Sequence, residues 1–243
     1  MADATPEKPH LLLLPGMMCD HRLWDLMVPK LRRHVEPVFG DLSKGATIPE
    51  MAAQVLADAP ARFHLCGFSM GGFAAREIAL TQPERVRSLV LINTSARGTT
   101  ASDISRRQDM IRMLADRPYN GVTKSNLTRS VHETRADDTA LLNRIQEMAL
   151  GLGKDVFLRQ LALVRDDGHL ELADIACPAL VLFARHDRLR SLDESRALAD
   201  GIPGARFRII EDGGHMTPLE HPDILGDILT EWIDECQATA SRP

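Results

Sequence analysis

CGFSMGGFAA, from Cys66 to Ala75, ends an apolar run in glycines and sets a serine, Ser69, inside the turn. Gly67-Phe68-Ser69-Met70-Gly71 fits G-x-S-x-G, with an apolar strand pattern before it and a helix of small and apolar residues after it. A serine at so sharp a strand-to-helix turn sits in a strained backbone conformation. Side chains at the two glycine positions would collide as the chain closes around it, and Gly72 extends the clearance. The turn lifts the hydroxyl above a sheet, at a helix N-terminus whose dipole and free N–H groups favour negative charge.

HLLLLPGMM, from His10 to Met18, likewise ends a strand, His10 to Leu14, in a glycine turn. Further short apolar strands are read at Val35 to Gly40, Phe63 to Phe68, Val86 to Ile92, Ala179 to Ala184 and Arg206 to Ile210. Amphipathic helices separate them, so the pattern predicts an α/β fold with about six parallel strands covered on both faces. Pro49 starts one helix, Gly71 to Leu80 forms another that Pro83 forbids from continuing, and Ser191 with Glu194 makes a capping box for a third. In the final helix Ile224, Leu225, Ile228, Leu229, Trp232, Ile233 and Cys236 recur at helical spacing and predict one buried stripe.

The alternation breaks once. From Gly98 to Gly168 strand signals vanish and only helical patterns remain, as in ALLNRIQEMALGLG and in KDVFLRQLALV with Phe157, Leu161 and Val164. The expected organisation is therefore a core of residues 1–97 and 169–243 with a helical cap, 98–168, inserted between strands. An insertion at the carboxyl ends of parallel strands covers the crevice where such sheets bind ligands, which would make it a lid. Methionines in and near it either fill the core or line a pocket for an apolar group. The arginine-rich SRRQDMIRMLADR is read as a solvated helix face.

Composition bounds the function. The 243 residues are 44% hydrophobic and 26% charged, enough for one large core. A net charge of −5 with scattered cations argues against a nucleic-acid partner. No apolar stretch has the length of a membrane span, and MADATPEKPH shows no leader pattern, so a cytoplasmic protein is expected. Cys19, Cys66, Cys177 and Cys236 have neither CxxC pairing nor zinc-ligand spacing and are read as buried thiols.

A serine nucleophile needs a base within hydrogen-bond reach, itself oriented by a carboxylate. In this kind of sheet both follow the serine in the chain, acid before histidine. PALVLFARHD ends its strand just before Asp187, and RFRIIEDGGHMTPLEHP ends the last strand before a Gly-Gly turn and His215. Asp187 is preferred over Glu211 and Asp212, which lie too near His215 in sequence to come from another strand. His186 and His221 are read as surface residues. For a developing oxyanion, the turn offers the N–H of Met70, and the loop after the first strand offers that of Met17, with Gly16 allowing close approach.

In that order, LLLLPGMM, CGFSMGG, LVLINTSA, PALVLFARHD and DGGHMTPLEHP resemble the small bacterial members of the α/β-hydrolase superfamily, over residues 10 to 236. The resemblance implies Ser69 as nucleophile, His215 as base, Asp187 as acid and the Met17 and Met70 amides as oxyanion hole, with no metal or organic cofactor. It implies a serine esterase or lactonase that acts on a small molecule through an acyl-enzyme. A carbon–carbon bond hydrolase, a thioesterase and a non-catalytic receptor on the same fold are the alternatives. Met216 after the histidine and Phe68 before the serine differ from the aromatic and polar residues usual in carbon–carbon hydrolases. The chain departs from most relatives in carrying Pro15-Gly16 for His-Gly and Ala184 for a glycine, and in having too short an N-terminus for an initial antiparallel hairpin.

Overall fold

The computed structural model describes residues 8–240; most of the N-terminal stretch read above, residues 1–7, lies outside them. The elements run β1 (His10–Leu14), α1 (Val28–Leu31), β2 (Glu36–Phe39), α2 (Ile48–Asp58), β3 (Phe63–Phe68), α3 (Met70–Thr81), β4 (Val86–Ile92), α4 (Ala101–Leu114), α5 (Lys124–Ser130) and α6 (Thr139–Leu161). They continue through β5 (Ala179–Ala184), α7 (Leu192–Gly201), β6 (Arg206–Ile210), α8 (Thr217–Glu220) and α9 (Pro222–Ala240). The strands form one all-parallel sheet in the order β2-β1-β3-β4-β5-β6. The order reverses between β1 and β3, so the crevice at a topological switch point opens beyond their carboxyl ends.

Alternation along each strand explains the double-sided burial. Leu11 and Leu13 point into one core with Trp24, Leu229 and Trp232, and Leu12 and Leu14 into the other with Met51, Phe73 and Ile78. The first core is roofed by α1 and α9, the second by α2 and α3. Helix starts follow local chemistry: Thr47 caps α2 ahead of Pro49, and Ser191 and Glu194 close a reciprocal box on α7.

Three expectations are corrected. The second strand is shorter than Val35 to Gly40, because the Val35 N–H closes the preceding helical turn onto the Leu31 carbonyl at 2.9 Å. Ile224 is 49% exposed, so the α9 stripe begins at Leu225. Val164 is 54% exposed, because α6 ends at Leu161 and the chain leaves the helical face.

Residues 98–168 contain no strand. The two helical patterns read there join as α6 across a break at Gly153, whose φ of 80° suits a residue without a side chain. Cys19 and Cys66 are buried, Cys177 and Cys236 half-buried, and all four are free thiols.

Candidate active site

The turn between β3 and α3 holds Ser69 at φ 51° and ψ −111°, a left-handed conformation that costs a residue with a side chain on the order of 1–3 kcal/mol. Packing enforces it. A Cβ on Gly67 would meet the Gly71 carbonyl oxygen at 2.5 Å and Ala75 Cβ at 2.7 Å, and one on Gly71 would meet the Leu14 and Pro15 carbonyl oxygens, the latter at 2.6 Å. One on Gly72 would strike the Thr94 side chain at 2.5 Å, whose hydroxyl donates to the Ser69 carbonyl at 2.7 Å. The glycines thus let α3 press against the exit of β1, and the serine is left at the apex.

Three loops from three strands meet there. Ser69 Oγ lies 3.0 Å from His215 Nε2, and His215 Nδ1 lies 2.7 Å from Asp187 Oδ2. A carboxylate only accepts, so Nδ1–H donates to Asp187 and the lone pair of Nε2 faces the serine hydroxyl. Asp187 is enclosed, and its other oxygen accepts the N–H groups of Leu189 at 2.7 Å and Arg190 at 2.9 Å. The acid is therefore held by its own loop as well as by the imidazole. Phe68 packs on the His215 ring with centroids 5.1 Å apart.

The structure brings Ser69, Asp187 and His215 together. His186 is exposed and stacks edge-on against His132, and the His221 ring contacts the Asp212 carbonyl oxygen. Glu211 pairs with Arg185 at the surface. Met17 and Met70 border the cavity in front of the serine; as the first residue of α3, Met70 has an N–H with no acceptor inside the helix.

That cavity measures about 370 Å³ and is walled by Met17, Met18, Met70, Met110 and Met216 together with Phe157. Three of these methionines, Met18, Met70 and Met216, are also buried core side chains, so the two readings of the methionines hold together. Residues from 98–168 supply much of the lining, among them Val122, Ser130 and Ile145. The arginine-rich stretch is solvated at Arg106 and Arg112 but not throughout: Arg107 is half-buried, donates to the Leu163 carbonyl at 2.8 Å and borders the cavity.

Two positioning residues escape a reading of the sequence. Asn93, fully buried at φ 47°, donates from Nδ2 to the His215 carbonyl at 2.8 Å and to Thr217 Oγ1 at 2.9 Å, while its Oδ1 accepts from the Ala184 N–H at 2.8 Å. It ties the end of β4 to the end of β5 and to the His215 loop. Glu220, 6% exposed, accepts through Oε2 from His132 N–H at 2.7 Å and Gly214 N–H at 3.3 Å. Burial pushes its carboxyl above the ordinary range, despite these two donors. The only signal available was a polar residue closing an apolar strand, at Asn93.

Among the described residues no cluster of His, Cys, Asp and Glu could hold a metal ion, and no helix is long and apolar enough to cross a membrane.

Residues 59–222 match the alpha/beta hydrolase fold family. A candidate carbamate hydrolase of Azorhizobium caulinodans is 33% identical over 71% of this chain and 66% of its own length. A pimeloyl-[acyl-carrier protein] methyl ester esterase of Aeromonas salmonicida is 27% identical over 93% of this chain and 95% of its own. Among solved structures, a malate-bound thermophilic esterase of Thermogutta terrifontis superposes with a TM-score of 0.84 at 24% identity, over 95% of this chain and 91% of that one.

Proposed function

The chain belongs to the α/β-hydrolase fold family, and from that premise we propose that it is a serine hydrolase that cleaves a small carboxylic ester or lactone through an acyl-enzyme. The observation that carries this reading is the unbroken hydrogen-bond chain from Ser69 Oγ through His215 to Asp187, opening onto a largely apolar cavity.

In this reading Ser69 Oγ attacks the carbonyl carbon and its proton passes to His215 Nε2. Asp187 holds the imidazole in the right tautomer and steadies the imidazolium. The N–H groups of Met17 and Met70 receive the oxyanion, each worth about 3 kcal/mol in the transition state. His215 then protonates the leaving alkoxide, and the same imidazole takes a proton from water as it attacks the acyl-enzyme, which restores Ser69 and releases the acid. In a lactone the alcohol and acid leave as one molecule. Residues 98–168 act as the cap, a role supported by their share of the cavity wall. The methyl ester esterase from Aeromonas salmonicida supports ester chemistry. Met216 and Phe68 beside the triad keep the carbon–carbon bond reading second.

The test is a fluorophosphonate probe read by intact mass, run beside a chain-length series of nitrophenyl esters. The expected result is one adduct on the wild type, none on a folded Ser69→Ala variant, and ester turnover that the variant loses. An adduct that persists in Ser69→Ala, or no adduct on well-folded wild type, overturns the proposal.

A further inference from the structure

The cavity in front of Ser69 is mostly carbon and sulfur, yet Arg107, Arg165 and Arg190 also border it. The backbones of two of the three are held by hydrogen bonds. Arg165 is tied to Thr99 by bonds in both directions: the Thr99 N–H donates to its carbonyl at 2.8 Å, and its own N–H donates to Thr99 Oγ1 at 2.9 Å. Arg190 donates its N–H to Asp187, so its position is coupled to that of the triad carboxylate. The guanidinium carbons of Arg165 and Arg190 lie 4.6 Å and 5.9 Å from the ring centroid of Phe73, one helical turn beyond Ser69 on α3.

Among the described residues no carboxylate is in ion-pair contact with Arg165 or Arg190, although Glu194, Asp187 and Asp103 act on them at longer range. The Nε atoms of Arg165 and Arg190 are enclosed with no hydrogen-bond partner. The carboxylates within electrostatic reach are engaged elsewhere. Glu194 accepts from Arg97 at 2.9 Å, Asp103 from Arg106 at 2.7 Å and from Thr100 Oγ1 at 2.9 Å, and Asp187 from His215. Burial, with the neighbouring charges of Arg190 and Arg107, pushes Arg165 down to about 9. A guanidinium Nε–H withdrawn from water without a partner is costly, and stacking on one aromatic ring offsets only part of that cost. A carboxylate offers the planar, two-pronged acceptor that guanidinium recognises best.

We infer that Arg165 and Arg190, with Arg107 beside them, form an anion subsite inside the cavity, and that the substrate carries a free carboxylate on an apolar chain. The substrate class is then a monoester of a short dicarboxylic acid, or a lactone bearing a carboxylate. The anion subsite stands on the arginines alone; the ester or lactone part rests on the proposed function.

Two measurements separate these claims. In the first, kcat/KM is compared for 4-nitrophenyl monoesters of succinic, glutaric and adipic acid and for uncharged 4-nitrophenyl esters of matching chain length. The wild type is expected to favour at least one charged ester tenfold or more. Arg165→Gln and Arg190→Gln are expected to cut that ratio about tenfold, and Arg165→Lys to cut it less. In the second, glutarate, adipate and inorganic phosphate are titrated calorimetrically into Ser69→Ala, with and without Arg165→Gln. The dicarboxylates are expected to bind and the added substitution to abolish it.

Neutral esters turned over with no preference for charge, and no dicarboxylate binding, overturn the subsite while the hydrolase reading stands. Dicarboxylate binding that depends on Arg165, with no ester hydrolysed, overturns the hydrolase reading while the subsite stands. Phosphate binding without dicarboxylate binding overturns the carboxylate assignment. The wild-type comparison needs no variant, so a misfolded substitution does not shield the inference.

Discussion

Helices α3 and α4 are alike in length and both border the cavity, but they are opposite in burial. Nine of the twelve residues of α3 are buried, and its Gly71 lies against the backbone at the exit of β1; none of the fourteen residues of α4 is buried. The start of α4 is fixed by the reciprocal Thr100–Asp103 cap, and Arg107 is its link to the Leu163 carbonyl. The segment from α5 to His132 is intermediate, joined to the His215 loop by Met216 N–H to the Ser130 carbonyl at 2.9 Å and by His132 N–H to Glu220. The lesson is a division of labour. The groups proposed to do chemistry sit beside glycines that leave no room for a Cβ, whereas α4, the exposed part of the cavity wall, is held by a few polar ties.

The largest effect is expected from Gly71→Ala. The added methyl meets two carbonyl oxygens of β1 and its exit, which are backbone and cannot swing away. Overpacking of this kind reaches about 3 kcal/mol. Chemical denaturation is expected to show that loss, and fluorophosphonate labelling of Ser69 to fall with it. Full labelling and unchanged stability would mean that the turn relaxes at no cost, and the contrast with α4 would vanish.

That contrast also explains what could be read in advance. Five of the six strands begin and end where the sequence patterns do. Strands β1, β3, β4 and β5 show as nearly continuous apolar segments because they are buried on both faces, and the edge strand β6 alternates Arg206 and Arg208 with apolar residues. The serine turn was legible because its glycines answer local collisions within a few residues. Asn93 and Glu220 were not: Asn93 meets its His215-loop partner more than 120 residues away, and Glu220 meets His132 across 88. The pairing of Arg165 with Arg190 around Phe73 was hidden for the same reason, since nothing local marks either arginine as lacking a carboxylate. Ile224 and Val164 misled because helical periodicity names a face without saying where the partner surface ends.

Glu220 tests the join between the two regimes. Glu220→Ala leaves the His132 and Gly214 N–H groups without an acceptor and is expected to cost about 1–3 kcal/mol. Glu220→Gln keeps an acceptor oxygen in place. Because burial raises the folded-state pKa of Glu220 above its unfolded value, the carboxyl's contribution is greatest in acid and is lost as pH rises through the folded value. The stability of Glu220→Gln relative to wild type is therefore expected to increase from acid toward neutral pH in denaturant titrations. A difference that is flat with pH would show that the carboxyl is not desolvated, and that the tie between His132 and the His215 loop is looser than its distances imply.

The smallest effect on stability is expected at Met110, on α4. Its side chain borders the cavity yet is 36% exposed, so truncation removes contact with a ligand and little with the protein. Met110→Ala is expected to stay within about 0.5 kcal/mol of wild type in unfolding free energy. Its chain-length profile on nitrophenyl esters should nevertheless shift about tenfold, the low end of what one methylene in an apolar pocket is worth in transition-state binding. The opposite outcome, a clear loss of stability with an unchanged ester profile, would make α4 a packed part of the core and remove the division drawn between it and α3. A shifted profile at constant stability would instead locate specificity in the wall that the fold constrains least, where substitutions can change the substrate without disturbing the strained turn that holds Ser69.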